Sequence, residues 1–150
     1  QLEGVPFDDV TAAQAVAIYA ADANLFGRNK GLSFTSKGTA ASSRFLDVQT
    51  SVDWVSARTE EEILSLFVGA PTKVPYTNAG INQVSAAIQN VLNRGVTFGH
   101  FSPDFPPTVN APDVSTISST DKQNRELTLQ ASAVLAGAIQ KVNLTINLTF

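Results

Sequence analysis

Apolar residues recur at helical spacing through most of this chain and at every second position at its end. In "VTAAQAVAIYAADA", Thr11 and Gln14 form a capping box, with Val10 placed as a hydrophobic staple. This predicts a first helix running to about Ala23. "NLF" and "LSF" predict two short strands, separated by the turn-prone "GRNKG". "SKGTAASS" is a small-residue loop. A second helix follows within "RFLDVQTSVDWVSARTEEEILSLFVG" and stops at Gly69 and Pro71. Val52, Val55, Ile63, Leu66 and Phe67 line one of its faces; Trp54, Leu64 and Val68 lie towards the other. A helix apolar on two sides is expected between two layers, one of which can be another subunit. "YTNAGINQVSAAIQNVLNRG" predicts a third helix, with Thr77 as N-cap and Gly95 just past its end. Ile81, Val84, Ile88, Val91 and Leu92 give it one buried face.

Beyond it, "GHFSPDFPPTVNAPDV" is proline-rich. Phe101 and Phe105 are therefore expected in a mobile loop, with "TVNA" as a short edge strand. "SSTDKQNRE" has the makings of one helical turn, and "LTLQASAV" alternates as a strand does. The final "KVNLTINLTF" alternates without a miss. Val142, Leu144, Ile146, Leu148 and Phe150 fall on one side; Asn143, Thr145, Asn147 and Thr149 fall on the other. The last two strands read as a β-hairpin around "LAGA". The whole reads as one α+β domain, residues 1–150. It has three helices on a small, mostly antiparallel sheet and a C-terminal hairpin available for strand exchange.

The last strand raises an energetic question. Burying its five apolar side chains contributes roughly 8–15 kcal/mol. Fixing ten backbone residues costs roughly 10–20 kcal/mol. The strand does not clearly win alone, and an unpaired apolar edge invites aggregation. Either an earlier strand of this chain covers it, or another chain does, by β-augmentation.

Composition narrows the function classes. Formal net charge is −3 and charged residues are 15% of the chain, below the usual ~25%. A nucleic-acid module would carry a basic stripe, and none is present. The absence of cysteine removes disulfides and thiolate metal sites. No run reaches the length of a membrane span, and no signal peptide opens the chain. The start at Gln1, with no methionine anywhere, reads as a piece of a longer protein.

Candidate chemistry is sparse. His100 is the one histidine, with Ser102 and Asp104 close in sequence. A small hydrolase built on them is a weak alternative, because such triads are assembled from distant segments. The other reading of His100 is an exposed loop residue. Glu60, Glu61 and Glu62 point in different directions on a helix and cannot jointly clamp a metal. Asp8 and Asp9 suit the positive end of the first helix. Asn143-Leu-Thr145 and Asn147-Leu-Thr149 match the glycosylation sequon, but the alternation itself generates them. No catalytic, cofactor or metal site is assigned.

Several stretches together resemble the C-terminal part of contractile-tail sheath proteins of bacteriophages. They are "QLEGVPFDDVTAAQA", "DWVSARTEEEILSLF", "KVPYTNAGINQVSAAIQNVLNRGV" and "VSTISSTDKQNRELTLQASAVLAGAIQKVNLTI", in the family's order. The resemblance implies a structural protein of the virion, assembled in the host cytoplasm. It implies copies of itself in stacked hexameric rings around a tail tube protein, meeting a baseplate and a tail terminator. It implies neither a nucleic-acid partner nor membrane insertion. Contraction would drive the tube through the host envelope. In such sheaths a C-terminal strand links neighbouring subunits, a role that would fall here on Val142, Leu144, Ile146, Leu148 and Phe150. The alternative assembly reading is a different phage or secretion-system component with the same exchange logic.

Overall fold

The computed structural model describes Pro6 and residues 10–29, 31–140 and 142–144. The chain divides into two compact units, residues 1–49 with 137–150 and residues 50–136. The secondary structure is α+β: three substantial helices, one short helix and two small antiparallel sheets of two strands each.

In the first unit, α1 spans Ala12–Ala20. The expected capping box is present. Gln14 N–H donates to Thr11 Oγ1 at 3.3 Å, and Thr11 N–H donates to Gln14 Oε1 at 2.8 Å. The helix stops three residues short of Ala23. Asp22 turns left-handed at φ 54°, and its carboxylate accepts from Lys37 and Ser43. A strand pair forms, but the first strand is shifted: β1, Phe26–Asn29, lies mostly within the stretch expected as turn, and it pairs antiparallel with β2, Leu32–Thr35, with Asn29 opposite Leu32. Gly31 supplies the positive φ of 85° that this tight turn requires. The following loop is tied back by side chains. Asn24 donates to the Thr39 carbonyl at 2.6 Å and accepts from Thr39 N–H at 3.0 Å. Tyr19 OH donates to Ser36 Oγ at 2.8 Å.

Helix α2 spans Leu46–Gly69; its residues from Thr50 onward belong to the second unit. Its covered stripe is not either of the two expected faces. Ser51, Trp54, Val55, Arg58, Glu62, Ile63 and Leu66 are buried or half-buried, at three- and four-residue spacing. Val52, Leu64, Phe67 and Val68 are exposed. Trp54 thus turns inward together with members of the face assigned opposite to it.

Helix α3 spans Asn78–Thr97, with Thr77 as its N-cap. Its buried residues are Gly80, Ile81, Val84, Ala87, Val91, Leu92 and Gly95, one stripe of the 3.6-residue period. Gly95 lies inside the helix and not beyond it. A Cβ there would stand 2.5 Å from the Phe101 ring and 3.3 Å from Trp54, so glycine is what lets the aromatic residues reach the helix backbone. The left-handed residue past the end is Gly99, φ 78°. Gly99 N–H bonds the Val96 carbonyl and His100 N–H bonds the Gly95 carbonyl, the pairing of a Schellman cap.

Phe101 corrects the expectation of a mobile aromatic loop. It is only 4% exposed and forms a bridge with Leu135. Phe105 is the solvent-facing one, 62% exposed. Strand β3, Thr108–Asn110, is the "TVNA" edge strand; it pairs antiparallel with β4, Gln130–Ser132, inside the "LTLQASAV" stretch. A 3₁₀ turn at Val114–Thr116 and the helix α4, Ser119–Asn124, connect them. The Asp113 carboxylate accepts from Ser115 and Asn78, while Val114 N–H donates to Asn78 Oδ1 at 2.7 Å. These bonds pin the turn to the start of α3.

Candidate functional site

The residues expected to join subunits are only partly described. Val142 and Leu144 are 80% and 77% exposed, and Val142–Leu144 lie in neither sheet. Ile146, Leu148 and Phe150 lie outside the described residues, as does most of the second strand of the expected hairpin. Strand β4 takes β3 as its ladder partner. Ile139, a few residues earlier, is also exposed.

A second set of uncovered apolar side chains lies on α2. Leu64 and Val68 stand one turn apart, with Phe67 beside them and Val52 further up the helix. On the other side of the helix, Arg94 of α3 pairs with Glu62 at 2.8 Å, while Arg58 and Glu61 pair at 2.7 Å within α2 itself. Two of the three consecutive glutamates are therefore engaged in ion pairs, each with a different arginine.

His100 is neither an exposed loop residue nor grouped with a serine–aspartate pair from its own loop. Its ring stacks on Trp54 with centroids 4.8 Å apart, and Trp54 meets Phe98 edge-on at 5.8 Å. Its Nδ1 lies 3.0 Å from Ser51 Oγ. Ser102 Oγ instead accepts from the Asp104 backbone N–H at 3.3 Å, within an Asx-like loop turn. Ser51 is 5% exposed, which leaves its hydroxyl little access to a substrate. The arrangement fits a different task. The histidine backbone closes the α3 cap, its carbonyl accepts from Ala136 N–H at 3.0 Å, and its ring covers Trp54. Sequence reasoning missed Ser51 as its partner. The available signal was a serine one turn before Trp54 in the stripe that proves to be covered.

Two carboxylates have acid-shifted character. Hydrogen bonds from Lys37 and then Ser43 hold the Asp22 carboxyl below the usual aspartate range. The Ser115 hydroxyl, the Ser115 N–H and Asn78 do the same for Asp113. Both stabilise loop turns. Among the described residues no cluster of His, Cys, Asp or Glu is arranged to hold a metal ion, and no helix is long and apolar enough to cross a membrane.

No curated protein matches the chain. A family match does exist, and it falls on the elements just described. It begins at the first residue of α2, covers all of α3 with its cap, His100 and Phe101, and stops in the loop after them. Tail sheath proteins are structural. Residues 46–104 match the family model described as "E217 tail sheath protein gp31-like, C-terminal domain", which supports recognition of the chain as a phage tail sheath C-terminal part.

Proposed function

We propose that the chain is part of a structural subunit of a contractile phage tail sheath, located in the virion tail. Copies polymerise around the tail tube as stacked rings, and contraction of that polymer drives the tube through the host envelope. Residues 142–150 link neighbouring subunits by adding a strand to a shared sheet, with Val142, Leu144, Ile146, Leu148 and Phe150 on the dry face.

The observation that carries this reading is the family match over α2 and α3. The strict alternation of the last nine residues supports the linking role, as does the exposure of Val142 and Leu144. Backbone bonds would give attachment, and the alternating side chains would set register, since a one-residue slip turns Leu144, Ile146 and Leu148 to the wet face.

Two substitutions in the full-length protein test the link. Ile146→Asp puts an unpaired charge on the dry face, where burial is costly; Asn147→Asp puts one on the wet face. Electron micrographs should show polymers with Asn147→Asp. With Ile146→Asp they should show none, while the subunit stays soluble and folded. Polymers that survive Ile146→Asp would remove the strand as the link. An unfolded subunit would place these residues in its own core.

A further inference from the structure

Within the 50–136 unit, a cavity of about 370 Å³ lies between the end of α2, the start of α3 and the chain after α4. Phe67, Ile81, Val84 and Leu127 form its apolar wall, and Lys73, Lys122 and Arg125 stand around it. No carboxylate lines it. None of the three lies within salt-bridge distance of a described carboxylate, and Lys122 acts on the Asp113 carboxylate from further off. Close backbone packing holds one edge: a Cβ on Gly80 would stand 1.9 Å from the Pro75 carbonyl oxygen. A cleft with charge of one sign above an apolar wall focuses its field outward and favours an oppositely charged visitor.

We propose that this cavity receives residues 2–9 of a second copy of the chain, with Phe7 as the anchor and Glu3, Asp8 and Asp9 against the three cations. The stretch "LEGVPFDD" carries three carboxylates, no basic residue and the apolar Leu2, Val5 and Phe7. Among the acidic side chains elsewhere, Glu61 is already paired with Arg58, Glu62 with Arg94 and Asp22 with Lys37. An aromatic anchor in an apolar pocket with charges at the rim is the usual form of a short-segment contact. A cavity of this size lies within the range of about 300–1,000 Å³ that encloses small groups. Only the choice of a second copy as the source rests on the sheath reading; the cavity and its charge stand without it.

The test uses the whole chain, kept dilute, and a fluorescent peptide of residues 1–10. Saturable binding is expected. It should weaken about tenfold or more with the double substitution Lys73→Glu and Arg125→Glu, with Phe7→Ser in the peptide, and with added salt. Both substituted side chains are on exposed residues, and circular dichroism confirms that the fold is kept. Absent binding, or binding indifferent to all three changes, overturns the proposal. The source is read by carbodiimide, which joins carboxylates to amines without a spacer, in a mixture of ¹⁴N and ¹⁵N chains. Mixed-isotope links from Lys73 or Lys122 to Glu3, Asp8 or Asp9 are expected. Links of one isotope only would seat the segment in its own chain and overturn the second-copy assignment. Loss of polymers with Ile146→Asp leaves both readouts unchanged, so the two ideas fail separately.

Discussion

Ile81, Val84, Ala87, Val91, Leu92 and Phe101, the buried apolar side chains among the described residues, all lie in the 50–136 unit. In the unit of residues 1–49 with 137–150, Thr39 is the buried one among the described residues. Its order rests on a different kind of bond: the Asp22–Lys37 pair, the reciprocal Asn24–Thr39 bonds, Tyr19 to Ser36, and Ala138 N–H to the Asp47 carboxylate at 2.9 Å. Val16, Leu32, Phe34, Phe45 and Leu46 remain exposed there. The physical difference is large. Each fully buried apolar side chain contributes roughly 1.5–3 kcal/mol, whereas a typical intramolecular hydrogen bond nets about 0.5–1.5 kcal/mol, because water offers the same bond to the unfolded chain. One unit is stabilised by its own interior. The other, among its described residues, is specified in shape by polar links and gains little from burial.

The contrast can be broken most directly at the aromatic core. Phe101→Ala should cost about 3–5 kcal/mol in denaturant unfolding, as core aromatic truncations do. Phe34→Ala in the first unit should cost well under half as much. Similar losses would erase the distinction. Trp54→Ala should cost about 3 kcal/mol, the low end of that range, because the indole is half-buried. An unchanged midpoint would reject the packed role of Trp54 and of the His100 ring that covers it.

Gly95→Ala sharpens the comparison from the opposite direction, by adding an atom. The new methyl meets a buried ring at 2.5 Å. The cost of overpacking, about 1–3 kcal/mol, should exceed the gain of roughly 0.5–1 kcal/mol from replacing glycine within a helix. A more stable variant would mean that the Phe101 ring has room to move.

Acidification should separate the two units by their bonds. The Asp22 carboxyl is held below its unfolded range. Its contribution is present in full above the ordinary aspartate range and is lost as pH falls through the lowered value. Amide exchange, corrected for its intrinsic pH dependence, should therefore lose protection around Ser36–Arg44 before it does along α3. Simultaneous loss would show that the Asp22 links do not order that loop. The smallest effect is expected at Leu64→Ser on the exposed face of α2. The subunit's own stability should change by no more than about 0.5 kcal/mol. A larger loss would mean that this face is covered within the chain.

How far the sequence reached depended on whether a feature is local. The α1 capping box, the Thr77 cap, the short helix in "SSTDKQNRE" and the "TVNA" strand were all legible. Each is decided by side-chain chemistry and sterics within a few residues. The buried stripe of α3 was legible for the same reason: a single apolar periodicity admits one answer. The residues expected at a C-terminal interface were singled out by their alternation and by the resemblance, and the family match ends well before them, at residue 104.

Tertiary packing decided the rest. Helix α2 has apolar residues on two sides, so its periodicity offered two orientations, and contacts with α3 and the aromatic cluster selected a third stripe combining parts of both. Gly95 looked like a helix end because glycine in a sequence reports only that a side chain is absent. What requires that absence is the Phe101 ring, and Phe101 comes back against α3 only after the chain has turned at Gly99. The partnership of His100 with Ser51 spans forty-nine positions, and no local rule relates residues so far apart. Proline in the following loop correctly ruled out a long ladder there. It could not report that one of two similar phenylalanines would be buried, because burial is set by what lies opposite the side chain in space.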